Sequence, residues 1–186
     1  MIEEIEITKK NLQEDKIILY PTDTVWGIGC DATSTSAVAK IYELKNRVES
    51  KSLIMLVASQ EMLKSYIKEI PSKVLELLSS STKPTTIIYS KPIGLADNAI
   101  AKEENTVAIR IPQDEFCKQL IAKFGKPIVS TSANVSGRPT PMSFSEIEKP
   151  ILDGVDYIVN LRKKEIATKS STILKIEGDS IVVLRA

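Results

Sequence analysis

The sequence predicts an α/β fold, a single domain over residues 1–186 with a mixed β-sheet and flanking helices. Short apolar and β-branched runs alternate with helical patterns through the middle of the chain, which favours strands joined by packed helices. The last two runs, 172–176 and 181–184, flank Glu177-Gly178-Asp179 and so predict a terminal hairpin. No repeat or low-complexity linker divides a length that fits one domain.

In the first half of the chain, apolar runs at 17–20 and 53–57 predict buried strands, and 25–30 continues as extended, glycine-containing chain. Apolar residues then recur with the helical period in three segments, 36–45, 60–68 and 72–79.

Further along the chain, β-branched content predicts strands at 85–89 and 106–111, and two more strands are predicted at 128–130 and 157–159. The helix predicted at 114–124 has the clearest signals, because it has an acidic start and is followed by Gly125 and Pro127.

The composition excludes several classes of function. Lys and Arg number 25 against 24 Asp and Glu, so phosphate binding must come from local clusters rather than from overall charge. The chain has no histidine, which excludes Ser-His-Asp and Cys-His nucleophiles and imidazole zinc sites. We expect no metal ion held by protein ligands alone, and we interpret Cys30 and Cys117 as reduced apolar residues.

Localisation signals are also missing from the sequence. The charged start, MIEEIEITKKN, predicts no signal peptide. No stretch approaches the ~20 apolar residues of a membrane helix. We therefore expect a cytoplasmic protein without membrane contact.

Two polar clusters follow predicted elements in the first third of the chain. Pro21-Thr22-Asp23-Thr24 comes after a strand and is open to interpretation as a capped turn. Lys45, Arg47 and Lys51 follow a helix end, either as a solvated basic face that complements the helix dipole or as a clamp for a triphosphate.

Two more clusters lie in the second half. Ser130, Ser132, Asn134 and Thr140 surround Gly137, a composition that suits a backbone anion cradle but also ordinary turns. Arg110 lies inside the apolar strand TVAIR, so it should be paired or bound to an anion unless the strand is at an edge. No P-loop and no G-x-G-x-x-G after a strand is present, so any ATP must bind in another way.

Taken together, these segments resemble the YrdC/TsaC family of threonylcarbamoyl-adenylate synthases. The matching segments run in order from about residue 17 to 185: YPTDTVWGIGCDA, KNR with KSLIMLV, TVAIRIP and STSANVSGRPTP. The resemblance implies a twisted mixed sheet around a positively charged cavity. It also implies synthesis of threonylcarbamoyl-AMP and pyrophosphate from ATP, L-threonine and bicarbonate, for the N6-threonylcarbamoyladenosine (t6A) modification of tRNA, with Mg²⁺ accompanying ATP.

The resemblance also assigns residues. The implied ATP ligands, with Lys45 and Arg47 also catalytic, are Lys45, Arg47, Lys51, Thr106, Ser132, Asn134, Thr140 and Arg185. The implied threonine ligands are Thr24, Arg110, Ser130 and Ser171.

Three positions depart from the family pattern. Val48 replaces a common proline, Thr82-Lys83-Pro84 stands where a Trp-Pro-Gly-Pro stretch is common, and Leu56 occupies a position where some longer relatives have a histidine. Those relatives also carry a C-terminal extension domain.

Two alternatives stay open beside the synthase. The first is a module that binds double-stranded RNA or tRNA through the same basic residues without catalysis. The second is carbamoyl transfer, as in the related domain of hydrogenase maturation proteins. For the synthase itself we expect weak tRNA binding and transient contact with the t6A transferase complex.

Overall fold

The computed structural model describes residues 1–47, 53–167, 171–178 and 180–185. Within these residues the helices are α1 (Ile2–Gln13), α2 (Thr35–Lys45), α3 (Gln60–Tyr66), α4 (Ser72–Ser80), α5 (Glu115–Phe124) and α6 (Lys149–Gly154). The strands are β1 (Ile18–Tyr20), β2 (Gly27–Gly29), β3 (Ile54–Leu56), β4 (Thr85–Ser90), β5 (Thr106–Arg110), β6 (Ile128–Ser132), β7 (Tyr157–Ile158), β8 (Thr172–Glu177) and β9 (Ser180–Arg185).

The described strands form one mixed sheet in the order β7-β1-β2-β6-β3-β5-β4-β8-β9. The pairs β1–β7, β3–β5 and β4–β8 are parallel and the others are antiparallel. The predicted α/β class with a mixed sheet is therefore confirmed, as is the terminal hairpin, in which Glu177 pairs with Ser180.

Several elements differ from the predictions. The N-terminal helix α1 was not predicted; it buries Ile5 and Leu12 beneath a charged outer surface and packs on α5. Strand β6 continues two residues beyond the predicted 128–130, because Ser132 pairs with Gly27 of β2. Helix α3 ends at Tyr66, where the chain turns to bridge Ile67 with Pro92.

Local signals explain where two of the helices begin and end. The Ser34 side chain accepts from the backbone N–H of Ala37 at the start of α2. The Asp114 carboxylate does the same for Cys117 at the start of α5, which ends at Gly125 with a φ of 80°. These caps fix the helices on either side of the strands that carry the polar clusters.

The sheet separates two hydrophobic clusters. Met55 lies in one cluster and Leu56 in the other, as side-chain alternation along β3 requires. The Leu56 cluster lies under α1 and α5. Cys30 and Cys117 are both buried and free, one in each cluster, as predicted. Among the described residues, no helix is both long enough and apolar enough to cross a membrane.

Candidate active site

A cavity of about 930 Å³ opens along the sheet, with lining residues on strands from β2 across to β9. Ile54, Ala108, Arg110 and Ser130 line it. By alternation these side chains lie on the same sheet face as Leu56, which is buried under α5. The cavity therefore occupies the part of this face that α1 and α5 leave uncovered.

Four basic side chains line the cavity, and no acidic side chain lies among its described lining residues. They are Arg47, Lys83, Arg110 and Arg185. Such a composition favours anionic ligands through local charge, although the whole chain carries only +1. Lys83 was not predicted as a site residue. The sequence feature that could have indicated it is the replacement of the family's Trp-Pro-Gly-Pro stretch by Thr82-Lys83-Pro84.

Arg110 lies in the floor of the cavity with 4% of its surface exposed. Strand β5 is flanked by β3 and β4, so the interpretation of Arg110 as an edge-strand residue was wrong. The guanidinium is paired instead, with Nη2 lying 3.2 Å from Oδ1 of Asp23 and Nη1 donating to Oγ1 of Thr24 at 3.1 Å. Its buried Nε has no hydrogen-bond partner among the described residues.

The Thr22-Asp23-Thr24 loop is a turn whose side chains also build the site. The Thr22 hydroxyl donates to the carbonyl of Val25 at 2.7 Å, and the Asp23 carboxylate accepts from the backbone N–H of Gln113 at 2.8 Å. The loop is therefore a turn, as interpreted from the sequence, and it also supplies Thr24 to the cavity.

Ser130 and Ser171 are buried hydroxyls that line the cavity from β6 and from the start of β8. The Ser171 hydroxyl accepts from Thr86 at 2.9 Å, and its carbonyl accepts two bonds from the Arg185 guanidinium at 3.0 and 2.7 Å. The structure thus brings the four predicted threonine ligands Thr24, Arg110, Ser130 and Ser171 together around one cavity.

Lys45 does not form a solvated basic face, so that interpretation was wrong. It is 2% exposed, and its ammonium donates to the carbonyls of Ser132 and Asn134 and to Oδ1 of Asn134. Burial, and to a smaller degree the charge of Arg47, lowers the pKa of Lys45 to about 8.

Asn134 completes this network, since its Nδ2 donates to the carbonyl of Arg138 at 2.6 Å. Neither Lys45 nor Asn134 is among the residues that line the cavity. Together they tie the end of α2 to the loop after β6, which carries Thr140 at the cavity.

The other predicted ATP ligands divide between the cavity and positions away from it. Arg47, Ser132, Thr140 and Arg185 line the cavity. Thr106 does not, because it lies at the start of β5, four residues before Arg110, where it pairs with Ser90. Lys51 lies outside the described residues.

Two departures from the family pattern also fall on defined positions. Leu56 is fully buried in the cluster under α1 and α5, with Phe116 and Ile121, and does not line the cavity. Val48 lies outside the described residues.

Comparison with known proteins gives consistent relatives. The model of the Sua5/YciO/YrdC family, described as "Telomere recombination", matches residues 10–186. A Methanocaldococcus jannaschii relative, provisionally named threonylcarbamoyl-AMP synthase, is 34% identical over 183 residues, 97% of this chain and 84% of the relative. Threonylcarbamoyl-AMP synthase of Escherichia coli K12 is 34% identical over 139 residues, 73% of each chain.

Longer relatives match over part of their length. Threonylcarbamoyl-AMP synthase of Bacillus subtilis is 34% identical over 176 residues, 94% of this chain, which spans about half (50%) of that protein.

Solved structures share the fold. Pyrococcus abyssi Sua5 complexed with L-threonine superposes with a TM-score of 0.87 at 30% identity, covering 97% of this chain and 53% of that one. Escherichia coli YciO has a TM-score of 0.84 at 20% identity, covering 97% and 87%, and shows likeness of fold alone. With the family match over residues 10–186 and relatives above 30% identity, this chain belongs to the Sua5/YciO/YrdC family.

Proposed function

We propose that this chain is an L-threonylcarbamoyladenylate synthase, a nucleotidyltransferase that converts ATP, L-threonine and bicarbonate to threonylcarbamoyl-AMP and pyrophosphate for t6A modification of tRNA. The observation that carries the proposal is Arg110, a buried arginine in a cavity floor whose Nε has no partner among the described residues. The relatives named as this synthase support the same chemistry.

The threonine carboxylate is the group that Arg110 fits best. A guanidinium can bind a carboxylate through two parallel N–H···O bonds, and burial strengthens such charge-assisted contacts. Thr24, Ser130 and Ser171 place hydroxyl groups around the same volume and can hydrogen-bond the amine and the side-chain hydroxyl of the substrate.

ATP fits the remaining basic lining. Arg47 follows α2, whose end is bonded to the loop after β6 that carries Thr140. Lys83 and Arg185 lie at the β4–β8–β9 side of the cavity, so cations are available from both regions. Lys45 and Asn134 support this arrangement by holding the loop, and Lys51 remains a proposed phosphate ligand. Thr106 also remains a proposed ATP contact, although it lies at the start of β5 and does not line the cavity in this structure.

Magnesium would enter with ATP as part of the substrate. No group of three or more His, Cys, Asp or Glu side chains suited to a metal ion occurs in the described ranges, and the described cavity lining lacks carboxylates. The metal would therefore take its oxygen ligands from the phosphates and from water.

The reaction requires correct positioning of its substrates more than it requires a strong general base. Threonine's neutral amine forms an N–C bond to the carbon of bicarbonate while a C–O bond of bicarbonate breaks, which releases one water and gives a carbamate anion. A carbamate oxygen then attacks the α-phosphorus, and the bond from that phosphorus to the oxygen of the leaving pyrophosphate breaks. Since the nucleophile is already an anion, the basic residues serve to bring two anions together and to stabilise charge on the transferring phosphorus.

We further propose that residues 1–186 act as one domain in the cytoplasm, where the three substrates are found. The tRNA would bind weakly through the exposed basic rim of the cavity, and the product would pass to the t6A transferase complex by transient contact. A pure RNA-binding role is less well supported, because phosphate backbone contacts need neither a buried Arg110 nor the buried hydroxyls of Ser130 and Ser171.

Mass spectrometry of a mixture with ATP, threonine and bicarbonate tests the proposal. A product with the mass of threonylcarbamoyl-AMP should form, and it should be absent with Arg110→Ala and present with Lys91→Ala, a lysine paired with Glu69 away from the cavity. Folded wild-type protein that binds ATP yet gives neither this mass nor pyrophosphate would overturn it.

A further inference from the structure

We propose that Asp23 is a positioning residue that sets the orientation of Arg110 and thereby presents the unused N–H groups of its guanidinium to the carboxylate of an amino acid. This inference rests on the proposed function for the identity of the ligand. It rests on geometry alone for the arrangement of the guanidinium.

Asp23 acts from behind the cavity wall. Its side chain is only 9% exposed, and it is not among the residues that line the cavity. One carboxylate oxygen, Oδ2, is fixed by the backbone N–H of Gln113 at 2.8 Å, and the other, Oδ1, lies 3.2 Å from Nη2 of Arg110. The Asp23 carboxylate therefore lies where it can act on a ligand in the cavity through Arg110.

A second group holds the other Nη atom. The single hydroxyl proton of Thr22 goes to the carbonyl of Val25 at 2.7 Å, so across the 3.0 Å contact between the Thr22 and Thr24 hydroxyls the proton belongs to Thr24. The Thr24 oxygen is then left as an acceptor, and Nη1 of Arg110 donates to it at 3.1 Å. Residues 22–24 thus contact both Nη atoms of Arg110, one by a hydrogen bond to Thr24 and the other by an ion pair with Asp23, whose Oδ1 has no hydrogen-bond partner among the described residues.

These contacts determine which N–H groups of Arg110 remain free to donate to a ligand. Nη1 and Nη2 each retain an N–H that these contacts do not use, and the buried Nε–H has no partner in the described part of the chain. A carboxylate in the cavity can accept from the unused N–H groups of the guanidinium through charge-assisted bonds. Asp23 also compensates the buried positive charge while the cavity holds no substrate, a state in which an unpaired guanidinium would be strongly unfavourable.

Calorimetric titration of L-threonine and of L-threoninamide, which lacks the carboxylate, tests the inference with Asp23→Asn. We expect the variant to bind threonine at least about tenfold more weakly and to lose most of the wild-type preference for threonine over threoninamide. Its ATP affinity should stay within about twofold of wild type, because Arg47 is not touched. A merely structural role would weaken both amino-acid ligands and ATP alike.

Asp31→Asn is the matched control, since Asp31 is also a buried carboxylate, ion-paired with Lys126 at 2.7 Å, and does not line the cavity. It should leave the preference for threonine unchanged. An Asp23→Asn protein that keeps the wild-type affinity and preference would overturn the inference.

A nuclear magnetic resonance readout separates this inference from the proposed function. The Nε–H signal of Arg110 should be sharp in wild type and in Asp31→Asn, and broadened in Asp23→Asn, whether or not any product forms. Should wild type bind threonine and make no adenylate, the proposed function fails while the titrations still decide the role of Asp23. An Arg110 signal that is unchanged in Asp23→Asn would refute the positioning role even in a protein that binds no threonine.

Discussion

The ammonium group of Lys45, at the end of α2, donates to the backbone carbonyl of Asn134 at 2.6 Å, across 89 residues of sequence. The backbone returns the contact, because the N–H of Ser136 donates to the carbonyl of Lys45 at 2.8 Å. Helix α2 and the loop after β6 are therefore joined by side-chain and backbone bonds, and the loop that presents Thr140 depends on Lys45.

The lowered pKa of Lys45 predicts a pH dependence of stability. Its folded pKa, about 8, lies below its ordinary value of 10.5, so between these pH values the unfolded chain binds more protons than the folded chain. The contribution of Lys45 to the free energy of unfolding should therefore rise with pH in this window, by on the order of 1–3 kcal/mol. Urea unfolding of wild type and Lys45→Met at a series of pH values measures this as a growing difference. A difference that stays constant with pH would contradict the lowered pKa.

Arg47→Ala should weaken ATP binding by about tenfold or more, because a charge-assisted contact contributes roughly 1.5–3 kcal/mol. Calorimetry gives the affinity, and circular dichroism checks that the fold is kept. Arg138→Ala is the control, since Arg138 is exposed and does not line the cavity, and its carbonyl still accepts from Asn134. Equal ATP affinity in Arg47→Ala and wild type would remove Arg47 from the site.

The amino-acid pocket should discriminate strongly against valine. A pocket that hydrogen-bonds a hydroxyl leaves its polar groups unpaired when the substrate has a methyl group instead. Serine should be poorer but detectable, since it lacks only a methyl group worth about 1 kcal/mol. Pyrophosphate release with each amino acid measures this, and equal rates with valine and threonine would show that the hydroxyls of Thr24, Ser130 and Ser171 do not recognise the side chain.

Lys83→Ala should raise the KM for ATP by about fivefold, because Lys83 is exposed at the cavity and an exposed charge contributes up to about 1 kcal/mol. The effect should shrink as salt is added. Lys91→Ala is the matched control, since Lys91 is an exposed lysine beyond the opposite end of β4 and does not line the cavity, and it should have no effect. A change of the same size in both variants would assign the effect to overall charge.

Binding of tRNA should be weak, should fall steeply with salt, and should compete with ATP at the rim that includes Arg47. Synthesis of the adenylate should need no tRNA, because every atom of it comes from the three small substrates. Filter binding at several salt concentrations measures the first, and pyrophosphate release without tRNA measures the second. A tRNA affinity that does not change with salt or with ATP would place the tRNA site away from the cavity rim. An absolute need for tRNA in pyrophosphate release would favour the binding-module alternative.

Sequence reasoning predicted most elements because their patterns are local, but it missed α1, whose acidic and basic residues conceal the buried spacing of Ile5 and Leu12. It also predicted correctly that Arg110 needs a partner, since a charge in an apolar strand must be compensated. The identity of that partner could not be predicted, because Asp23 lies 87 positions earlier and meets Arg110 only through the order of strands in the sheet.

For Lys45, the local sequence led to a wrong prediction. The local sequence, a lysine at the end of a helix, is typical of a solvated side chain, yet the loop after β6 covers it with carbonyl groups. Lys83 was missed for a related reason. It lies just before β4, and the pairing of β4 with β8 brings residues from far along the chain to the same cavity.

The cavity is lined from Thr24, near the start of the chain, to Arg185, in the last described strand. A ribosome-bound chain that has not yet released β9 lacks the residue that reaches Ser171 from the far edge of the sheet. Substrates can therefore complete their contacts only after β9 has joined the sheet, so ligand binding protects this domain from proteases only once that strand is in place.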